Sequence, residues 1–121
     1  MLEGSLVAES IRPGASLDDL RLLVRKIARH TRDDTTEDQP GIWTDIVFEA
    51  DEKDADDLAR KLADALDVPG WYADFRSATE TVVVYHGKIF RYPRGDAAGR
   101  ARAQEHGRAQ GVPEEQLDWP V

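Results

Sequence analysis

The chain contains no cysteine. That absence excludes disulfides, thiolate-ligated zinc or iron–sulfur centres and thiol nucleophiles together. Long apolar runs are also missing, and nothing approaches the roughly 18 consecutive apolar residues of a membrane-spanning helix. The opening segment, MLEGSLVAESIRPG, carries Glu3 and no basic stretch leading into an apolar core. No secretory leader or membrane association is therefore expected, and a cytoplasmic location is the default. Basic charge is in deficit: 16 Lys and Arg against 24 Asp and Glu give a net charge of −8. A field of that sign repels polyanions, so nucleic acid is an unlikely partner for the chain as a whole.

Cofactor motifs are absent as well. The glycines form neither G-x-G-x-x-G nor G-x-x-x-x-G-K-[ST], so no nucleotide cofactor is expected. His30, His86 and His106 form no H-x-x-x-H pair, and the Asp-rich stretch 51–57 lacks the spacing and distal Glu of a calcium loop. No metal and no cofactor are predicted. No Ser stands in a recognisable Ser-His-Asp arrangement either, which leaves catalytic residues unassigned.

What remains is 121 residues, 40% of them hydrophobic, with 9 Gly and 6 Pro, enough apolar material for one core and one domain spanning 1–121. Heavy use of Ala, Asp and Arg, with Arg far outnumbering Lys, suggests a GC-rich bacterial genome. A first strand is expected over Leu6 to Ile11, stopped by Pro13 and Gly14. Leu17, Leu20, Leu23, Val24 and Ile27 then recur at spacings of three and four, which predicts an amphipathic helix capped by Ser16. Residues 31–41 lack interior apolar character and read as an exposed loop. IWTDIVFEA, from Ile42, alternates as a strand, and Asp51–Asp57 opens a second helix that carries Leu58, Leu62, Ala65 and Leu66, with acids in its first turns. Trp71–Arg76, Thr81–His86 and Lys88–Tyr92 predict an antiparallel meander. Asp96 can cap a third helix from Ala97 to about Gln110. Gly99 and Gly107 each weaken that helix by about 1 kcal/mol relative to Ala, so it requires tertiary support. Trp119 is expected to anchor the last segment. The order β-α-β-α-β-β-β-α predicts an α+β two-layer sandwich with a five-stranded, mostly antiparallel sheet and the first two helices on one face.

Side-chain alternation then locates a candidate surface. If Ile42, Ile46 and Phe48 face the helices, Trp43, Asp45 and Glu49 face away; if Trp71, Ala73 and Phe75 face them, Tyr72, Asp74 and Arg76 face away. Phe90 and Tyr92 turned inward would put Arg91 outward with them. Trp43, Tyr72, Asp74, Arg76 and Arg91 thus make a candidate binding face, or a solvated face laced with cross-strand ion pairs. Residues 33–57 carry a net −10 and residues 76–108 a net +4. The basic segment offers a site for a small anion around Arg76, Lys88, Arg91 and Arg94 near the start of the third helix, or plain charge balance against the acidic one. Thr81–Tyr85 is apolar on both alternations, so something must cover the second face: the third helix, the segment around Trp119, or a second copy in a homodimer.

The runs GWYADF (70–75), VVVYHGKIFRYPRGD (82–96) and GVPEEQLDW (111–119) resemble a family of small proteins from high-GC bacteria. The resemblance implies a stand-alone domain and assigns no catalytic residue. The function expected is an accessory or binding domain for a partner protein or a small polar or anionic ligand. Two alternatives stand beside it: an enzyme with substrate against Trp43, Tyr72 and Arg91 and Asp74 as base, and nucleic-acid binding through 76–108.

Overall fold

The computed structural model describes residues 1–121. In chain order the elements are β1 (Leu2–Val7), β2 (Leu23–Thr31), β3 (Ile42–Ala50), α1 (Ala55–Ala65), β4 (Ala73–Arg76), β5 (Glu80–Tyr85), β6 (Lys88–Pro93) and α2 (Ala97–Ala109), with single 3-10 turns at 8–10, 52–54 and 114–116. All six strands join one antiparallel sheet in the order β2-β3-β1-β4-β5-β6. The protein is α+β, with six strands rather than five and two helices rather than three. No helix is long and apolar enough to cross a membrane.

The missing helix is the one expected over 17–27. Asp19 there adopts a left-handed backbone, φ 56°, which interrupts a right-handed helix. Leu17, Leu20 and Leu22 pack partly onto the core from an irregular segment, and Leu23 onward forms the edge strand β2. Ser16 caps no helix; its hydroxyl donates to the Asp18 carboxylate at 2.6 Å. The basic residues that would suit a helix C-terminus instead pair across strands with the acidic face of β3: Arg25 with Glu49 at 3.0 Å and His30 with Asp45 at 3.0 Å. The first strand is also displaced, to Leu2–Val7, because its alternation Leu2, Gly4, Leu6 is what meets the core.

The two helices lie on opposite faces. Leu58, Ala59 and Leu62 of α1 join Leu2, Leu6, Phe48, Phe75, Val82 and Val84 in the larger core. On the other face Ala103 of α2 joins Val83, Tyr85, Tyr92, Leu117 and Trp119. The cover that β5 requires is therefore supplied by α2 together with segment 112–119. Tyr85 ties that layer down by donating its hydroxyl to the Ala103 carbonyl at 2.7 Å. Asp96 caps α2 as expected, accepting from the Ala98 amide at 3.1 Å.

Close approach explains the glycines. A Cβ at Gly99 would stand 2.5 Å from Cβ of Tyr92, and one at Gly4 would meet the Asp74 carbonyl oxygen and Cβ of Phe75, each at 2.6 Å. Gly99 lets α2 lie directly on β6, and Gly4 lets β1 pass between Phe48 and Phe75. Overpacking typically costs about 1–3 kcal/mol, more than the roughly 1 kcal/mol of helix propensity that alanine returns. Gly99→Ala should accordingly lower the free energy of unfolding in a urea titration; an unchanged or raised midpoint would contradict this packing.

Candidate functional site

The second sheet face is covered only over its β4–β6 half. Beyond that cover, Ser5 and Val7 of β1 and Val47 of β3 remain partly or fully open to solvent. They floor a hollow of about 310 Å³. Its walls come from three places. Trp43 and Asp45 stand on β3, where alternation turns both away from α1. Trp71, Tyr72 and Asp74 come from the start of β4, and Gln116, Asp118, Trp119 and Pro120 from the segment after α2.

Aromatic pairs give these walls rigidity. Trp43 and Trp71 pack with centroids 5.0 Å apart, and Tyr72 meets Trp119 edge-on at 5.2 Å. The Trp119 indole N–H donates to the Tyr92 hydroxyl at 2.7 Å, and Tyr72 donates its hydroxyl to the Gln116 carbonyl. Burial first of all, with the nearby Asp74 carboxylate second, raises the Tyr72 pKa. Two guanidinium groups lie on the tryptophans, Arg32 at 4.2 Å from the Trp43 centroid and Arg100 at 5.0 Å from that of Trp119. Arg32 is held by both oxygens of Asp34, at 3.0 and 2.6 Å.

Loop 32–41 is less exposed than its composition predicts. The side chains of Gln39 and Gln116 are buried and exchange reciprocal amide hydrogen bonds at 2.9 and 3.2 Å. Gln39 also donates to the Gly70 carbonyl, and Gln116 to that of Asp34. These amides fix the loop, the approach to β4 and the last segment around one side of the hollow.

Asp74 is the only carboxylate among the buried residues. Its register partner on β1 is Ser5 and on β5 Val83. Burial drives its pKa from 3.8 up to about 6, opposed by Arg76 and reinforced by Asp118. Arg76 stands 3.8 Å away, outside hydrogen-bond distance.

Of the residues singled out from the sequence, Trp43, Tyr72 and Asp74 meet in the hollow, and Arg76 borders an adjoining depression with Glu3, Arg25 and Glu49. Arg91 does not join them. Its register partner is Val82, a residue of the α1-side core, and it pairs there with Asp56 and Glu80. β6 has the opposite parity to the one expected, because Phe90 and Tyr92 pack against a second core, on the α2 side. Arg94 lies on the turn before α2, donating to the carbonyls of Ser77 and Val121. Trp71, expected to face the helices, precedes β4 and turns into the hollow instead. Arg32, Gln116 and Asp118 escaped notice because they reach the site from loops, where alternation gives no signal. The basic segment 76–108 forms no continuous patch. Arg91 and Arg108 are in close ion pairs, Arg100 lies on Trp119, and Lys88 lies over Phe90 at 5.4 Å. No group of three or more His, Asp and Glu is placed to hold a metal ion.

No family model, curated protein or solved structure matches this chain.

Because Asp74 ionises near pH 6 in the folded protein and near 3.8 unfolded, the folded state binds more protons between those values, and stability falls as pH rises through that window. Asp74→Asn removes the penalty. Calorimetry should find the variant more stable than the wild type at pH 7.5, by roughly 3 kcal/mol, with the difference closing by about pH 4. A variant less stable at pH 7.5 would show that the carboxylate is favourably paired.

Proposed function

We propose that this protein is a small-molecule-binding domain whose site is the tryptophan-walled hollow on the second sheet face. One observation carries this reading. A concave, partly apolar recess with a few convergent polar groups lies on a rigid sheet, and it contains the chain's one buried carboxylate. The segments GWYADF and GVPEEQLDW supply Trp71, Tyr72 and Asp74 on one side and Gln116, Asp118 and Trp119 on the other.

Asp74 also favours a second reading as an acid–base enzyme, because a carboxyl group titrating near pH 6 is suited to proton transfer close to neutrality. Association with another copy or a partner protein draws support from the β2 edge, where Leu23, Val24, Ile27 and the neighbouring Ile42 are exposed. The β5 strand no longer supplies an argument for it.

The binding reading is tested by screening a library of polar metabolites by NMR, following the three indole N–H resonances. Hits should shift the signals of Trp43, Trp71 or Trp119. They should lose affinity in Ser5→Trp, which fills the floor from an exposed position, and keep it in Arg91→Ala and Arg94→Ala. Hits that ignore Ser5→Trp, or a silent library, would overturn the assignment. Retained binding with lost turnover in Asp74→Asn would establish the enzyme reading.

A further inference from the structure

The charge and the aromatic faces of the hollow together narrow its ligand, an argument that rests on the hollow being the binding site. Three carboxylates line it, Asp45, Asp74 and Asp118, against the single guanidinium of Arg32. That guanidinium is already bonded through two nitrogens to Asp34. Asp118 is exposed and forms no ion pair, and the nearest cation to Asp74 lies 3.8 Å off. With Asp45 facing His30 at 3.0 Å, the surplus among the lining residues is negative and rests on Asp74 and Asp118. Arg76 and Arg100 act on Asp74 from outside the lining, so an anion entering here would meet the carboxylates of the lining before any unpaired cation.

The aromatic walls select in the same direction. A tryptophan face attracts cations through its quadrupole, and most strongly where water is partly excluded. The protein applies that attraction to its own side chains twice in this cluster, with Arg32 over Trp43 and Arg100 over Trp119. Tyr72, partly exposed, and the small part of Trp71 left accessible beside Trp43 line the recess with no guanidinium stacked on them. The floor of Ser5, Val7 and Val47 is uncharged and small, leaving room for a compact head group rather than an extended one.

We infer that the hollow binds a small organic cation, an alkylated ammonium group seated against Trp71 and Tyr72 and balanced by Asp74 and Asp118. Ligand binding should strengthen as pH rises through about 6, where Asp74 gains its charge. The groups acting on Asp74 are Arg76 on its own strand, Ser5 on β1, Arg100 on α2 and Asp118 beyond α2, so the ionisation is felt from every layer around it.

The test uses the full chain with choline and tetramethylammonium as probes, and 3,3-dimethylbutan-1-ol as the uncharged isostere of choline, at pH 7.5. The expected result is a saturable shift of the Trp71 indole signal by the cations, with the neutral isostere weaker by about tenfold or more. Asp118→Asn, an exposed and structurally undemanding change, should weaken the cations several-fold and leave the isostere unaffected. Asp74→Asn should do the same and remove the rise in affinity across pH 6. Equal affinity for the isostere, or preference for acetate or phosphate, would overturn the cation assignment while leaving the hollow a binding site. Silence from every cation, with library hits that still depend on Ser5, would likewise reject the ligand class alone. Silence from cations and library together would reject the site itself.

Discussion

Three consecutive valines in β5 impose the constraint on which the rest of the fold depends. Val82, Val83 and Val84 are each at most 1% exposed, and a strand sends successive side chains to opposite faces. Burying each contributes about 1.5–3 kcal/mol, so together they approach the whole net stability of a small domain. Both faces of β5 must therefore be covered, one by α1 and the other by α2 with the segment that follows it. The cover on the second face does not extend to β1 and β3. Where it stops, a recess with a layered wall on one side and open sheet on the other is a geometric consequence.

What turns that recess into a defined site is the reciprocal pairing of Gln39 with Gln116. Two buried amides leave four polar atoms that would each be costly without a partner, and they satisfy one another and two backbone carbonyls besides. The pairing joins residues 77 positions apart. It holds loop 32–41 so that Arg32, braced by Asp34, lies on Trp43, and it fixes the segment carrying Asp118 and Trp119. A loop of polar residues is thereby tied by side-chain hydrogen bonds to the approach to β4 and to the last segment.

The parts of the fold that were legible in the sequence are those where one face meets one core. Ile42–Ala50, the meander of β4 to β6, α1 and the Asp96 cap all follow from simple alternation or helical spacing. Leu17 to Ile27 failed because leucines spaced by three and four satisfy a helix only if the backbone between them is helical, and Asp19 is left-handed. Its basic residues suited a helix end equally well as an edge strand facing acids, and only the presence of β3 decides between them. Arg91 failed for a related reason: with one core assumed, Phe90 and Tyr92 had to point toward it, and a second core reverses them. Trp43, Tyr72 and Asp74 were placed together correctly because β3 and β4 both border β1, so that their away-facing residues share one surface. Residues delivered from loops carry no periodic signal, which is why Arg32, Gln116 and Asp118 emerge only from the structure.

The ion pairs of this protein differ in how closely their atoms approach and in how much water reaches them. Several exposed or half-buried pairs bring the atoms into contact: Arg32 with Asp34 at 2.6 Å, Arg108 with Glu114 at 2.7 Å, Arg25 with Glu49 at 3.0 Å. Those carboxylates keep access to water and would tolerate poorer geometry. Asp74, the acid with least water, has a looser partner than any of these three, at 3.8 Å, and burial pushes its carboxyl group toward neutrality against the opposing charge of Arg76. A serine, a valine or an asparagine at this register position would spare the sheet that desolvation. Within the fold Asp74 is met by Arg76 at 3.8 Å, by Ser5 across the strand and by the charge of Arg100, and its remaining side borders the hollow.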